Sequence, residues 1–578
     1  MRKFKSFMWS CHTKNKDCLH EIYTDRQIYF SSVRSSEQPV EDEKIYMYRT
    51  ITFQFSGTGF RTLEQMILYV WVPENIYFHD QDIICSKTAY EDWLLRLLGS
   101  AVNSLSKSFQ NDHKDAREKP SFSMQEPGPV VISRNGCLYV AEKRAFRLRI
   151  SFRFSLINGC LLNGKSSYKG LKALLDLICD ELDAADLTDL AEHIQLYSKQ
   201  KQLRAFLKEN SLMAFIADGS ILPRQGTTQK PLPGAIPFYT PPSLKVTIPT
   251  SDGSVITGMG LKSGITVITG GGYSGKSTLL DCLEQGIYNH VKGDGRELMV
   301  SDESACKVYA EDGRYMPPTN LSPFFSYLPG DNDPLCFQTP HASGSVSQAA
   351  NIVEAVYGGS HCLLIDEDTS ATNFMIRDKA MRKLVKKEPI VPYTDRILEL
   401  KEMGVSTILV IGGSGEYLKY ADRILLLEDY LVSDVTEQID RSGQPAPAAG
   451  THSWMCQKHL SFAVENNDIP YTDFVKIEHA RYLKMGHFTA DITYLTALTE
   501  SGQPGSLIWL LEKLLFSADD TESELRTRCE SAVNTLFSDS MNAMLSSRTH
   551  QYELWLEQVR SLDLIMAACR LRPDSTQL

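Results

Sequence analysis

The sequence predicts an α/β fold, and three observations favour it. Short apolar runs of strand length alternate with amphipathic helical patterns through the middle of the chain. One of these runs ends in a glycine-rich segment and another ends in two adjacent carboxylates, which is typical of parallel strands with a site at their carboxyl edge. The chain has 578 residues, enough for two or three domains that each bury a core.

Composition divides the chain into five segments. The first is rich in basic, aromatic and hydroxylated residues and lacks acids, which fits either a solvated basic tail or a mitochondrial targeting segment. A Gly/Pro-dense passage marks the main domain boundary, and a second one forms a linker. The predicted segments are a basic tail or targeting segment at 1–16, an α/β N-terminal domain at 17–230, an α/β core at 231–440, a linker at 441–453 and a mostly helical C-terminal region at 454–578.

Charge and hydropathy exclude some classes of protein. The formal net charge of −11 argues against a surface that coats nucleic acid as a whole, although a local basic stripe remains compatible with it. No run approaches eighteen consecutive apolar residues, so we expect no membrane partner and no one-chain transporter. The thirteen cysteines are scattered without a CxxC pair, which favours reduced thiols in an intracellular compartment.

The glycine-rich segment reads GGGYSGKS and fits the pattern G-x-x-x-x-G-K-[ST]. A strand precedes it and an amphipathic helix follows, so its backbone N–H groups can form an anion nest at the positive end of that helix. Lys276 is expected to reach the β- and γ-phosphates of a nucleotide, and Ser277 to ligate Mg²⁺. The candidate nucleotide contacts are Gly270, Gly271, Gly272, Tyr273, Ser274, Gly275, Lys276, Ser277 and Thr278.

The acidic strand end reads CLLIDE, from Cys362 to Glu367. Asp366 is expected to hold the Mg²⁺ shell, and Glu367 to orient and deprotonate the attacking water. Successive side chains of a strand point to opposite sides, so two adjacent carboxylates at its end can take two different roles.

Ser343, Gly344 and Ser345 open a helix with a regular apolar face. By themselves they predict only an N-cap. Ser343, however, lies 23 residues before Asp366, and that spacing resembles the gap between the signature motif and the acidic strand of ABC ATPases. All three are therefore candidate phosphate contacts.

Longer strings resemble the predicted ABC-class ATPase family, from about residue 128 to the C-terminus. The resemblance implies an ABC-type P-loop ATPase core that hydrolyses ATP with Mg²⁺ as a homodimer. In that class the signature Ser and Gly contact the γ-phosphate held by the other subunit, and residues matching Asp368 to Ala371 form a loop that crosses the interface. The strings are FIADGSILPR (Phe215 to Arg224), SGSVSQAANIVEA (Ser343 to Ala355), LLIDEDTSATNFMIRD (Leu363 to Asp378) and STILVIGGSGEYLKYAD (Ser406 to Asp422).

Among eukaryotic members of the family, the chain is most similar to an RNA-binding ATPase associated with the mitochondrial RNA-editing accessory complex of kinetoplastids. This implies RNA and proteins of that complex as partners, and a mitochondrial location. The basic segment at 1–16 fits that location, with the cytoplasm as the alternative.

Two features depart from the ABC class. The strand Thr407 to Ile411 runs into Gly412-Gly413-Ser414-Gly415, where the class has a switch histidine. We expect backbone N–H groups of this loop, or Ser414, to sense the γ-phosphate instead. No glutamine matches the Q-loop well, because Gln338 lies only five residues before the signature.

A basic stripe is predicted on the strand KRAFRLRISFRF, from Lys143 to Phe154. Arg147, Arg149 and Arg153 fall on one face, and Lys143 stands at its start. They are candidate RNA-phosphate contacts. A half-buried edge strand with a solvated cationic face explains them equally well.

Two other functions remain open from the sequence. A P-loop kinase would transfer the γ-phosphate to an acceptor, although the spacing of the signature argues against it. A slow ATPase would serve as a nucleotide-switched scaffold.

Overall fold

The structure is a computed structural model that describes most of the chain. The described residues are 45–56, 65–78, 83–111, 119–157, 161–162, 164–377, 379–385, 387–439, 454, 475–478, 481–485, 488–516, 524–537 and 555–573. The predicted segment at 1–16 and the linker at 441–453 lie outside them. Among the helices described, none is long and apolar enough to cross a membrane.

The chain divides into two compact units, each of which is discontinuous in sequence. Unit 1 contains residues 1–195, 500–506 and 535–558, and unit 2 contains 196–499, 507–534 and 559–578. This differs from the predicted boundary at 230, because the strand at 212–217 pairs with strands of the core rather than with the N-terminal sheet. The predicted C-terminal region contributes to both units.

Unit 1 is built on an antiparallel sheet in the order β1-β2-β3-β7-β4, with β6 also pairing with β7. Alternating apolar residues of these strands pack against α2 and α3 in one core, which includes Phe53, Val70, Leu94, Phe152 and Leu174. The strands are β1 (Tyr46–Tyr48), β2 (Ile51–Ser56), β3 (Gln65–Pro73), β4 (Ser121–Ser123), β5 (Val130–Val131), β6 (Cys137–Val140), β7 (Ala145–Arg153), β8 (Leu156–Ile157) and β9 (Leu161–Leu162). The helices are α1 (Glu74–Tyr77), α2 (Lys87–Asn111), α3 (Gly164–Asp183) and α4 (Leu187–Glu209), the last of which continues into unit 2.

A buried arginine joins the distant segments of unit 1. The Arg134 side chain is fully buried and donates hydrogen bonds to Asp92 (2.6 Å), Glu500 (2.8 Å) and Glu557 (3.0 Å). Removing one member of such a group would leave a buried charge without its partner, which is strongly destabilising. Residues 500–506 and 555–558 are therefore integral parts of this unit.

Unit 2 centres on a six-stranded sheet in the order β16-β19-β20-β13-β21-β22, parallel except for β22. A second sheet, in the order β11-β12-β10-β15, is antiparallel. The strands are β10 (Leu212–Ala217), β11 (Lys245–Pro249), β12 (Val255–Lys262), β13 (Ile265–Gly270), β14 (Asn289–His290), β15 (Met299–Ser301), β16 (Cys306–Val308), β17 (Met316–Thr319), β18 (Phe337–Thr339), β19 (Cys362–Asp366), β20 (Ser406–Val410), β21 (Arg423–Glu428) and β22 (Leu431–Asp434).

The C-terminal region of unit 2 contains a four-stranded antiparallel sheet, which the sequence did not predict. Its order is β23-β24-β25-β26, and its last strand lies some 80 residues beyond the third. These strands are β23 (Val475–Glu478), β24 (Tyr482–Met485), β25 (Phe488–Asp491) and β26 (Arg572–Pro573). The remaining helices are α5 (Lys276–Gln285), α6 (Gly344–Tyr357), α7 (Thr372–Met375), α8 (Lys379–Leu384), α9 (Ile397–Glu402), α10 (Gln503–Phe516), which begins in unit 1, α11 (Leu525–Asn534) and α12 (Ser561–Ala568).

Candidate active site

Three neighbouring parallel strands bring the predicted motifs to one edge of the sheet. Strand β20 lies between β13 and β19, with Ile268 opposite Val410 and Val410 opposite Asp366. The strands run in the same direction, so the segments that follow them share the carboxyl edge of the sheet. The glycine-rich loop follows β13, the two carboxylates close β19, and the loop without histidine follows β20.

The glycine-rich loop adopts a backbone that requires glycine at defined points. Gly270 has φ +146°, and a Cβ there would lie 2.2 Å from the Leu427 carbonyl oxygen. Gly275 also has a positive φ, +99°, directly before α5. A Cβ at Gly271 or Gly272 would meet nothing within 4 Å, and both residues are exposed, so the loop is unobstructed at these two positions. This shape can take a phosphate group at the start of α5.

Tyr273 is the unusual residue of this loop. Its φ is +59°, in the left-handed region, and its side chain is 99% exposed. That conformation costs a non-glycine residue about 1 kcal/mol or more. Its neighbour Ser274 is buried.

Lys276 and Ser277 lie in the first turn of α5. The Lys276 ammonium donates hydrogen bonds to the carbonyl oxygens of Gly270 (2.8 Å) and Gly271 (2.7 Å), which holds it across the loop. The Ser277 hydroxyl donates to Asp366 Oδ2 at 2.8 Å. The structure thus brings together two residues that are 89 positions apart in the sequence.

The Ser277–Asp366 pair fits Mg²⁺. Both groups offer hard oxygen atoms, and Mg²⁺ in nucleotide sites is held by one or two protein oxygens together with phosphates and water. Within the described ranges, no group of three or more His, Cys, Asp and Glu side chains that could hold a metal exists elsewhere.

Glu367 is held by the loop that follows β20. Its Oε2 accepts hydrogen bonds from the backbone N–H groups of Gly412 (2.7 Å) and Gly413 (3.0 Å). Ser414 Oγ accepts from the backbone N–H of Glu416 at 3.3 Å. The N–H groups that we expected to sense a γ-phosphate thus contact the carboxylate in this structure.

The signature residues lie at the start of α6. Ser343 occupies the N-cap position, but its side chain makes no capping hydrogen bond. Ser345 Oγ donates to Asn373 Oδ1 at 2.7 Å. A Cβ on Gly344 would stand 3.5 Å from the Cβ of Ala310 and 3.7 Å from that of Ala371, the last residue of the loop after the acidic strand.

Gln348 links α6 to that loop, a contact that the sequence did not predict. It is fully buried; its amide donates to Ser370 Oγ at 2.9 Å and accepts from the Ala371 backbone N–H at 2.8 Å. Ser370 Oγ in turn donates to the Asp366 carbonyl at 2.7 Å. Gln338, by contrast, lies exposed on β18, outside the parallel sheet.

An apolar cavity of about 300 Å³ borders the glycine-rich loop and was also missed. One wall comes from residues 222–238, which overlap the Gly/Pro-dense passage from Pro223 to Pro242 that was interpreted as the main domain boundary. Tyr430, in the turn between β21 and β22, forms part of the opposite side; a Cβ on Gly275 would lie 3.3 Å from its ring. The cavity is lined by Leu222, Pro223, Leu232, Gly234, Ala235, Ile236, Phe238, Ser274, Gly275, Thr278, Leu279, Leu427, Tyr430 and Val432.

Burial changes the acidity of one carboxyl group on α5. It raises the pKa of Glu284 from 4.5 to about 7, and the opposing attraction of Lys307 is smaller. The group lies on the helix that carries Lys276 and Ser277.

The predicted RNA strand differs from expectation in two ways. Strand β7 is not an edge strand, since it pairs with β3 on one side and with β4 and β6 on the other. Arg149 is only 5% exposed, because its guanidinium lies over the Trp555 ring at 4.7 Å. The prediction that Arg149 lies on a solvated cationic face is therefore wrong.

The other cations of the predicted RNA strand are accessible to different degrees. Lys143 is exposed, with its ammonium 3.8 Å from the centre of the Trp71 ring. Arg147 and Arg153 are half-buried. Arg147 lies over Tyr69 at 5.1 Å and over Trp71 at 5.9 Å. The cations of this face thus lie over a half-buried tyrosine and a buried tryptophan, and they do not form a row of solvated arginines.

Comparison with known proteins supports the assignment of the core. Residues 186–457 match the family model of the ABC_ATPase P-loop domain. The uncharacterized protein MJ1628 of Methanocaldococcus jannaschii is 31% identical over 204 residues, which cover 34% of this chain and 44% of that protein. The chain thus spans less than half the length of this relative.

Solved structures of ATP-binding cassettes are also similar. The ADP conformation of MJ1267, an ATP-binding cassette of an ABC transporter, is 12% identical, covers 31% of this chain and 82% of its own, and has a TM-score of 0.21. The dimeric post-hydrolysis state of the cassette MJ0796, bound to ADP and Pi, is 14% identical, covers 38% and 96%, and has a TM-score of 0.22. From the family match and the geometry of the loop, the chain contains a nucleotide-binding P-loop domain of the ABC ATPase class, with mixed α/β structure.

Proposed function

We propose that this protein binds ATP with Mg²⁺ and hydrolyses it to ADP and phosphate. The contact between Ser277 and Asp366 carries the proposal, because it places a hydroxyl and a carboxylate beside Lys276 at the start of α5. That arrangement suits the β- and γ-phosphates and a metal ion.

Each residue of the site has a defined role in this reaction. Lys276 leaves its two loop carbonyls and pairs with the phosphates. Asp366 and Ser277 would hold Mg²⁺, which neutralises charge on the phosphates when it is bound. Glu367 accepts the proton of the water that attacks the γ-phosphorus, while the bond from phosphorus to the ADP oxygen breaks.

The apolar cavity would receive the nucleoside. It adjoins Thr278 and Gly275, so a phosphate chain bound in the loop leaves the sugar and base at its mouth. The flat aromatic faces of a nucleobase gain affinity from such surroundings.

The affinities for ATP and for inorganic tripolyphosphate test the phosphate loop and the apolar cavity separately, because tripolyphosphate has no nucleoside. Lys276→Ala should weaken the binding of both ligands by at least about tenfold, since one charge-assisted contact of roughly 1.5–3 kcal/mol is lost. Ala235→Trp fills the cavity and should weaken ATP alone. Equal binding of ATP by Lys276→Ala and by the unmodified protein, measured by calorimetry, would refute the phosphate site.

We also propose that the active form is a homodimer in which Ser343 and Gly344 of one subunit complete the phosphate site of the other. The family resemblance supports this, together with the position of Ser343, whose hydroxyl makes no capping bond at the start of a 14-residue helix. Such a helix start offers unpaired N–H groups to an anion.

RNA is the proposed macromolecular partner, and an accessory role in mitochondrial RNA editing or processing is the proposed setting. Both proposals are supported by the resemblance of the sequence to the kinetoplastid RNA-binding ATPase. The surface of Lys143, Arg147 and Arg153 beside the half-buried Tyr69 adds a physical reason, since cations next to an accessible aromatic ring suit single-stranded RNA. Arg149 is left out of this surface.

The RNA proposal is tested by the salt dependence of binding. Changing Lys143, Arg147 and Arg153 to Ala should make the slope of log affinity against log salt shallower by about two per subunit. The matched control changes three exposed lysines of unit 2, Lys208, Lys245 and Lys262, to Ala. An unchanged slope in the first variant, measured with a fluorescent oligonucleotide, would place RNA elsewhere.

A further inference from the structure

The loop after β20 begins with two consecutive glycines whose backbone N–H groups face a single carboxylate oxygen. Both hydrogen bonds go to Glu367 Oε2, at 2.7 Å from Gly412 N and 3.0 Å from Gly413 N. Two charge-assisted bonds to one atom fix a side chain more tightly than one bond does. We name this pair of N–H groups the glycine clamp.

The clamp follows from the register of the sheet. Asp366 stands directly opposite Val410 on the neighbouring parallel strand, so the residue after Asp366 is level with the start of the loop after β20. Glu367 opens a short 3-10 turn there, with its carboxylate directed across to the loop. No side chain is needed from the loop for the contact, only its backbone.

The two oxygens of Glu367 are thereby made different. Oε2 takes both N–H groups, while Oε1 takes no hydrogen bond within the described ranges. A Cβ on Gly413 would lie 3.7 Å from Oε1, so glycine keeps the space beside that oxygen open. Oε1 is therefore the atom free to accept a proton from water.

We propose that the glycine clamp positions Glu367 for catalysis, with Oε2 anchored and Oε1 presented to the attacking water. This rests on the proposed ATP hydrolysis and adds to it two positioning residues, Gly412 and Gly413. They act on the carboxylate through their backbone and touch neither the nucleotide nor the water. The O–H bond of the water breaks, its proton passes to Oε1, and its oxygen forms the new bond to phosphorus as ADP leaves.

The clamp also explains how a loop without a histidine can serve this site. A side chain placed there would orient the carboxylate through its own rotatable bonds, whereas these two N–H groups belong to the backbone of an exposed loop that begins directly after the buried residue Ile411. Preorganised groups of this kind cost little reorganisation during the reaction. The strand itself is buried throughout its length, from Ser406 to Val410.

The first test removes one donor. Gly412→Pro lacks the N–H, and we expect kcat to fall by about 10- to 100-fold while the KM for ATP changes less than about threefold, because binding is left intact. Gly412→Ala keeps the N–H and should lose much less. Glu416→Ala, in the same loop but away from Glu367, is the control for damage to the loop.

The second test observes the contact itself and does not depend on activity. In protein labelled with ¹⁵N-glycine, the amide signals of Gly412 and Gly413 should move on Glu367→Ala and stay near their places on Glu367→Gln, whose carbonyl oxygen can still accept. Glu367→Gln would at the same time lose turnover, which separates the clamp from the chemistry.

Two results would overturn the proposal. One is a Gly412→Pro protein that folds, with its other glycine signals unmoved, and retains full kcat. The other is an identical glycine spectrum in Glu367→Ala and in the unmodified protein. If the unmodified protein does not hydrolyse ATP, the proposed function is refuted. The NMR test of the contact between Glu367 and the glycine clamp remains valid in that case.

Discussion

At the scale of single residues, the phosphate loop and the acidic pair lie where the sequence placed them. Their local patterns carry the necessary information, because a glycine-rich turn between a strand and a helix has few other conformations. Arg149 shows the limit of this reasoning. Its strand alternates as predicted, but its burial comes from Trp555, some 400 residues away, which no local pattern reveals.

Glu367 provides the most direct prediction at this scale. Glu367→Gln should keep ATP binding and lower kcat by roughly 10²- to 10⁴-fold, the usual effect of losing a general base. Calorimetry gives the binding and phosphate release gives the rate. Turnover at the level of the unmodified protein would show that another group takes the proton.

Glu284 gives a prediction for stability against pH. Its folded pKa of about 7 lies above its ordinary value of 4.5, so the folded state holds a proton that the unfolded state releases between these values. The cost of ionising the buried group is absent below about pH 4.5 and fully present above about pH 7. Glu284→Gln removes this cost and should stabilise the protein at pH 8 by up to about 3 kcal/mol, but little at pH 5.

Thermal unfolding at pH 5 and pH 8 measures this difference. The carbonyl oxygen of the new amide in Glu284→Gln can still accept from the Thr496 hydroxyl that donates to Glu284, so packing is retained. A gain of the same size at both pH values would show that the effect is not one of ionisation.

At the scale of elements, α6 and the loop after the acidic strand form one hydrogen-bonded block through Gln348. Gln348→Leu is close in volume but leaves the half-buried Ala371 N–H and Ser370 hydroxyl without that partner. We expect kcat to fall by roughly tenfold with ATP affinity preserved, because the block carries Asp366 and the signature residues together.

The matched control for this variant is Gln338→Leu, which changes an exposed glutamine on β18. It should leave kcat and ATP affinity unaltered. Equal effects of the two substitutions on kcat would mean that the Gln348 hydrogen bonds do not position Asp366 relative to the signature residues.

Strands and helices of the core could be predicted, but their partners were predicted less well. The sequence indicates β7 as a strand and even its buried face, yet it gives no sign that three other strands flank it. The C-terminal sheet was missed for a similar reason. Its strands are four residues or fewer, and β26 joins them from far along the chain, so no alternating run is long enough to detect.

At the scale of the whole molecule, the composite site makes a prediction about mixtures. Subunits with Lys276→Ala bind phosphate only weakly in their own loops, and subunits with Gly344→Asp would place a carboxylate against a partner's phosphate. A heterodimer of the two retains one site with both parts intact. Mixing them should therefore restore part of the ATPase activity that each lacks alone.

Steady-state phosphate release from mixtures at several ratios measures the rescue, with each variant alone at the same total concentration as the control. Activity equal to the average of the two separate variants at every ratio would contradict a shared site.

The division into units could not be predicted either, since the sequence shows clear breaks only at its Gly/Pro-rich passages. Two of the points at which the chain passes from one unit to the other lie inside α4 and α10, where helical periodicity continues without interruption. A helix is recognised in a sequence by the local periodicity of its apolar residues. That periodicity does not indicate which core the helix packs against.

The ion cluster around Arg134 has a consequence for folding of the protein during its synthesis on the ribosome. Asp92 is made before Arg134, but Glu500 and Glu557 follow several hundred residues later. At about 5–20 residues per second, the arginine waits roughly 20–85 s for its last partner. During that interval the first unit lacks two of the carboxylates that surround its buried arginine, so this unit can be completed only after residue 557 has been made, although its first residues are translated early.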